Sequence, residues 1–316
     1  MKKAKFDFSI VIPTYNRPEQ LRSCLNSLTR LQYPYRRFEV IVVDDGGDFS
    51  VDHVVTQFYG KLHLTLIVQQ HGGPSKARNK GAEFAQGKYL AFTDDDCRPA
   101  PDWLKSMSLQ LVKNPESMIG GRTVNALQDN IFSATSQFIV DIVYAHYNAD
   151  PNQSRFFSSN NMVICARLFR ELGGFDERFA IVACEDRELC DRWLYHGHRM
   201  VYSQKAVIYH AHKLTLRKFC RQHFTYGRGA FHYHRLRARR KSGRLYQEMK
   251  FHLNLDNWLL RPFKVIQGRQ LQSMAILLIF WQLINALGFF YEMLVRKGYR
   301  SDPDETRNSD AKQTYT

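Results

Sequence analysis

Acidic residues are scarce in this chain of 316 residues: 30 Asp and Glu stand against 45 Lys and Arg, leaving a formal charge of +15. The resulting positive field draws phosphate-bearing partners such as nucleotides, nucleic acids or anionic lipid surfaces, and by itself does not choose among them. Cysteine is sparse too. The six residues, at 24, 97, 165, 184, 190 and 220, form no C-x-x-C pair and no metal-ligand spacing. Free thiols in a reducing compartment are expected rather than disulfides or a zinc site. The apolar run after the basic N-terminal residues extends only from Phe8 to Ile12 before Pro13, too short for a secretory signal, so a cytoplasmic location is expected. No internal repeat is present. With 44% hydrophobic and 24% charged residues, global disorder is excluded, as are a small disulfide scaffold and a coiled coil.

A glycine-rich phosphate loop is also missing. Residues 8–12 and 39–43 are short β-branched runs, and between them Leu21, Leu25 and Leu28 recur at helical spacing, which predicts a β-α-β unit. Its first turn is Pro13-Thr14-Tyr15-Asn16-Arg17, without the glycines that let backbone amides close around a diphosphate. That argues against a dinucleotide-dependent dehydrogenase, a P-loop NTPase and a glycine-loop nucleotidyltransferase. The turn is stiff and aromatic, suited to packing against a base or ribose. A third apolar run (62–68), a Gly-Gly-Pro turn, a helix over 75–85 and a strand over 89–93 come next. Strands alternating with helices predict an α/β fold with a mixed, mostly parallel sheet and ligands beyond the strands' carboxyl ends.

Two of those strands end in acids, Asp44-Asp45 and Asp94-Asp95-Asp96. Carboxylates crowded on one sheet edge repel one another unless a cation joins them. Short acidic side chains suit a hard divalent ion, Mg2+ or Mn2+, that keeps some waters and takes diphosphate oxygens; helix capping is the alternative use. Further on, Glu185 and Asp186 come after a Gly-Gly loop and open a predicted helix, where a carboxylate serves either as a cap or as a group aimed into a cleft. His210 and His212 alternate along a predicted strand and share a face, where they offer a metal ligand or a phosphate donor.

The ordered segments 8–17 (FSIVIPTYNR), 40–48 (VIVVDDGGD), 73–81 (GPSKARNKG), 92–96 (FTDDD), 173–177 (GGFDE) and 185–189 (EDREL), with Asn161 and Arg167, resemble the inverting glycosyltransferases of family 2, of GT-A fold. The resemblance implies transfer of one sugar from a nucleotide-diphosphate sugar, a UDP-sugar first, to a hydroxyl of a glycan or lipid-linked acceptor in cell-surface polysaccharide or glycoconjugate synthesis. Pro13, Thr14, Tyr15, Arg17, Asp45, Arg78, Asp94 and Asp95 would bind the donor. Asp94 and Asp96 would form the D-x-D pair for Mn2+ or Mg2+, with His210 as a further ligand. Asp186 would be the base, with Glu185 as the fallback; Asn161, Asp176 and Glu177 would border the acceptor pocket, whose shape also depends on Arg167. Two departures stand out: Gly46-Gly47-Asp48 replaces the commoner Gly-Ser, and no separate Gln-x-x-Arg-Trp motif comes after Asp186, which disfavours processive synthesis.

Composition changes after His212. Residues 213–250 carry 12 Lys and Arg against the single acid Glu248, and Met274 to Tyr291 is free of charge, a borderline length that suits a helix spanning a membrane, one lying in its interface or one packed on the protein. The expected organisation is a catalytic domain over 1–212 (donor half 1–125, acceptor half 126–212), a basic helical region over 213–300 with an apolar helix at 271–295, and a disordered tail from 301. The basic region would hold the protein peripherally on an anionic membrane at the inner face of the cell. The rival reading is a basic membrane- or nucleic-acid-binding protein on the same fold without transferase activity. No nucleic-acid module is recognisable, so no such partner is expected.

Overall fold

The computed structural model describes residues 4–179, 183–243, 250–252 and 270–298. The apolar runs become strands β1 (Phe6–Thr14) and β2 (Phe38–Asp44), bracketing helix α1 (Pro18–Leu28). In β2 every residue is buried, as expected of an inner parallel strand covered on both faces. Pro18 opens α1 and Leu21, Cys24, Leu25 and Leu28 form its buried face. The short α2 (Asp52–Val55), edge strand β3 (Leu64–Val68), α3 (Pro74–Phe84), β4 (Gly87–Phe92) and β5 (Cys97–Pro99) come next along the chain. Then come α4 (Trp103–Lys113), β6 (Met118–Asn125), α5 (Ile131–Tyr147), β7 (Met162–Cys165), α6 (Ala166–Glu171), α7 (Glu185–Tyr195) and β8 (Met200–His210).

The eight strands form one sheet in the order β3-β2-β1-β4-β7-β6-β8-β5. Pairings among β3, β2, β1 and β4 are parallel, β7 is antiparallel to both neighbours, and β6 pairs parallel to β8. This is the mixed, mostly parallel sheet the sequence predicts. Because β1, β2 and β4 point the same way, Tyr15, Asp45 and the 94–96 acids emerge on one edge.

Register in the β6–β8 ladder slips between Gly121 and Arg122. Asn161 repairs the gap: its amide donates to the carbonyls of Arg122 (3.0 Å) and Ala206 (3.1 Å) and accepts from Trp103 Nε1 (2.9 Å). A buried side chain spent on three such bonds is a sheet tie, which corrects the expectation that Asn161 borders the acceptor.

Beyond β8 run two long helices, α8 (Leu216–Arg240) and α9 (Gln270–Gly298). They pack closely because glycine faces backbone in both directions: a Cβ on Gly227 would collide with the Asn285 carbonyl, and one on Gly288 with that of Phe224. Buried Glu292 of α9 accepts from Arg228 Nε and pairs with His232 Nε2, each at 2.7 Å. Burial opposes its charge and these two partners override that, holding the carboxyl below its usual range. The inner face of α9 buries Leu277, Leu278 and Trp281 in a cluster with Ile139, Ile142 and Phe219. Its outer face is apolar as well: Ile276, Ile279, Leu283, Leu287, Phe290 and Leu294 are all exposed. By length and composition alone this helix is long and apolar enough to cross a membrane, as a partly exposed packed helix can also be. The expected disordered tail lies outside the described residues, as does much of the expected basic stretch after residue 243.

Candidate active site

A cavity of about 570 Å3 opens at the sheet edge and gathers most of the predicted residues: Pro13, Thr14, Tyr15, Arg17, Asp45, Arg78, the three acids 94–96, Glu185, Asp186 and His210. At its mouth Tyr15 stacks on His71 with ring centroids 4.3 Å apart and planes 27° from parallel. Tyr15 keeps 43% of its surface exposed. Beneath the pair, Asp45 gathers the loop at 69–73: Oδ1 accepts from Gly72 N (3.0 Å) and Gln69 Nε2 (2.7 Å), and Oδ2 from Gly73 N (2.8 Å). The carboxylate thus fixes this loop and lines the cavity.

The three consecutive acids point three ways. Asp95 accepts from Thr14 Oγ1 (2.8 Å) and pairs with Arg17 (3.3 Å). Burial, opposed by Arg17 and aided by the neighbouring acids, pushes it up to about 7. Asp96 meets His210 Nε2 at 3.1 Å and His212 Nδ1 at 3.2 Å. Burial works against its charge, yet the two imidazoles hold it well below the carboxylate range. Asp94 turns to Arg78 instead, accepting from Nη2 at 2.7 Å. One carboxylate oxygen and two imidazole nitrogens, all within 4.8 Å of one another, make the candidate metal group Asp96–His210–His212. Of the expected Asp94–Asp96 pair, both line the cavity and both carry an arginine partner, Arg78 on Asp94 and Arg17 on Asp96 (3.2 Å), while only Asp96 belongs to the three-residue group. His212 lies just past the end of β8, and the Ala211 N to Asp96 carbonyl bond (2.8 Å) keeps it on the shared face.

Arg78 is the hinge of the site. Buried to 4% exposure, it donates Nη2 to Asp94 and Nη1 to Glu185 (3.0 Å), so one planar guanidinium joins the acidic turn to the start of α7. Glu185 is thereby engaged structurally. Asp186 beside it also lines the cavity, its Oδ1 accepting from the Arg187 amide at 2.7 Å. Desolvation first, and then the charge of Glu185, raise Asp186 to about 7. A carboxylate poised there is a competent proton acceptor near neutral pH. Cys184, directly before the pair, holds φ at +89°, a left-handed conformation costly for a side-chain-bearing residue and concentrated at functional sites.

Four expected positions, Asn161 among them, lie outside this cavity. Asp176 is bound by Arg178 (2.6 Å), and Asp176 and Glu177 line a separate shallow pocket with Asn79 and Arg192. The reason is local: Arg192 of α7 donates to the carbonyls of Leu172 and Gly174, drawing the loop away from the cleft. Arg167 is on the surface, paired with Glu116 and Glu171. Of the Asn160-Asn161 dipeptide it is Asn160 that lines the cavity, accepting from Thr123 Oγ1. Sequence reasoning missed the far wall, made by Val140 and Val143 of α5, by Gln222, Tyr226 and His234 of α8, and by Trp281 of α9. The four-residue spacing from 222 to 234 was the available signal.

The profile of Glycosyl transferase family 2 matches residues 9–173, just over half of the chain. Among curated proteins, glycosyltransferase AglE of Haloferax volcanii is 36% identical over 116 residues, 36% of this chain and 38% of that protein. A pre-mycofactocin glycosyltransferase of Mycobacterium tuberculosis is 28% identical over 231 residues, 71% of this chain and 47% of its own length. The chain thus spans less than half the length of these two relatives. Among solved structures, the mannosyltransferase PcManGT of Pyrobaculum calidifontis, in complex with GDP-Man and Mn2+, superposes with TM-score 0.68 at 17% identity, covering 90% of this chain and 87% of that one. TarS 1–349 of Staphylococcus aureus, in complex with UDP-GlcNAc, gives TM-score 0.58 at 17% identity, covering 93% and 92%. The structural likeness establishes a GT-A-type fold, and the profile match establishes that the chain belongs to glycosyltransferase family 2.

Proposed function

We propose that this protein transfers one sugar, with inversion, from a nucleotide-diphosphate sugar, a UDP-sugar first, to a hydroxyl of a glycan or lipid-linked acceptor, in the synthesis of a cell-surface polysaccharide or glycoconjugate. The observation that carries this is the Arg78 bridge, which sets the 94–96 acids and the 185–186 pair in one cleft. The nucleobase packs beside the exposed Tyr15–His71 stack, near Asp45, and the diphosphate lies toward Asp96, beside Arg17. Asp186 takes the proton of the acceptor hydroxyl while its oxygen bonds the anomeric carbon. The bond from that carbon to the diphosphate breaks on the opposite face, and the diphosphate leaves with the electron pair.

Asp96, His210 and His212 are the residues that would hold a divalent ion, and two imidazoles beside one carboxylate favour Mn2+ over Mg2+, which prefers an all-oxygen shell. Such an ion supplies charge neutralisation of the leaving diphosphate. For location, exposed Lys213, Arg217, Lys218 and Arg221 at the start of α8, together with the bare stripe on α9, support peripheral binding to an anionic bilayer at the inner face of the cell. The test is release of nucleoside diphosphate from a panel of nucleotide sugars with Mn2+. Asp186→Asn is expected to lose it by about 10²–10⁴-fold, and release that survives this change would overturn the assignment.

A further inference from the structure

The cavity does not end at the reacting carboxylates. It continues between α5, α8 and α9, where its wall changes character. Val140 and Val143 of α5, together with Phe156, Phe251 and the α9 residue Trp281, give it an apolar lining, while α8 contributes one rank of polar groups, Gln222, Tyr226 and His234, spaced four to eight residues apart. Ser136 and Gln137 of α5 and Asn285 of α9 add polar atoms, but Ile139, Val143, Phe251 and Trp281 belong to one apolar cluster, which gives a sugar chain few hydrogen-bond partners. The helix that closes it carries large apolar residues on both faces, although its inner side also holds Asn285 and the paired Glu292. Trp281 and Leu277 point inward, while Ile279, Leu283 and Leu287 are bare on the outside. The element separating the cavity from the surroundings is therefore the same one that presents an uncovered apolar stripe, flanked at the start of α8 by exposed Lys213, Arg217, Lys218 and Arg221.

We propose that the acceptor is an amphiphile, a sugar carried on a lipid chain, with the first part of the chain lying in the inner cavity against Val143, Phe251 and Trp281 and the sugar presented to Asp186. This deepens the transferase reading and rests on it for the identity of the reacting end. The polar rank on α8 faces the sugar and its linkage, the valine and aromatic walls face the hydrocarbon, and the remainder of the chain stays in the bilayer against which α9 rests. Water-soluble glycans lack the apolar part that this chamber is lined to receive.

The experiment labels the full-length protein with an octyl glucoside carrying a diazirine at the chain end, used below its micelle-forming concentration, with the labelled positions then mapped by mass spectrometry. Label on Val140, Val143, Phe251 or Trp281 is expected. Unlabelled octyl glucoside should displace it roughly tenfold more tightly than hexyl glucoside, since two methylenes are buried. Val143→Trp, which fills the chamber, should lose the interior label and keep any label on the outer stripe. Label confined to Ile279, Leu283 and Leu287, or displacement by maltoheptaose as effective as by octyl glucoside, overturns the proposal. The map of the unaltered protein decides between these outcomes even if the variant does not fold. It also requires no turnover, so failure of the transferase reading would show separately, as absent diphosphate release alongside an interior label.

Discussion

Removing the guanidinium of Arg78 probes the joint that holds the site together. Arg78→Met keeps most of the side-chain volume and deletes a charge that serves two carboxylates. The loss falls unevenly: the Asp94 side chain is 29% exposed and water can take over its solvation, whereas that of Glu185 is 12% exposed and is left beside Asp186 without its cation. Breaking a buried pair from one side costs about 3–5 kcal/mol, and the exposure of Asp94 puts this case near the lower end, at about 3 kcal/mol. For a domain of this size the melting temperature should drop by roughly 6–12 °C, read by differential scanning fluorimetry. The contact of Arg78 with the Phe175 ring (5.5 Å) survives in part with methionine, so the drop reports charge rather than a cavity. A shift below about 2 °C would refute the view that Arg78 clamps the two motifs together.

Asp186 is faced by Glu185, Arg78, Arg187, Cys184 and Tyr226, and its carboxyl sits at about 7. Since only the deprotonated form accepts a proton, the rate should fall roughly tenfold per pH unit below that value, and Glu185→Gln, which removes the adjacent negative charge, should shift this limb to lower pH; a profile unmoved by the substitution would count against the assignment. His212→Ala removes one of three donors and is expected to weaken Mn2+ stabilisation, read as thermal shift against Mn2+ concentration, by at least the roughly 10–100-fold seen for outer-shell changes. Asn161→Ala orphans the carbonyls of Arg122 and Ala206 at about 1–3 kcal/mol each, so it should melt several degrees lower while the folded fraction keeps its transfer rate, measured as turnover per folded molecule. A lowered rate with unchanged melting would return Asn161 to the acceptor pocket.

The β1–β2–β4 edge of the cavity was legible in the sequence because it is built from local rules. Continuous β-branched runs become inner strands, and the residues directly after each strand stand at the carboxyl edge, so Tyr15, Asp45 and the 94–96 acids could be placed together without any tertiary knowledge. The same logic put His210 and His212 on one face, although β8 ends between them. Long-range competition for partners was not legible. Nothing local reveals that Arg78, 16 residues earlier, reaches Asp94. Asn161 looked like a pocket residue until the slipped β6–β8 register gave it two carbonyls to satisfy. Asp176 and Glu177 were drawn aside by Arg192, and the far wall on α5, α8 and α9 exists only once three helices meet. In the sequence that wall reads as basic or apolar composition, which gives no hint that Tyr226 and Trp281 line the same space.

Glu292 bears on how the last helix can sit. Its carboxylate is matched by Arg228 and His232 only while α9 lies along α8. A helix of the same apolar content that peeled away and threaded alone through hydrocarbon would carry that acid with no counterion. The pairing therefore acts as a tether, keeping an apolar helix docked along α8 with its outer stripe uncovered.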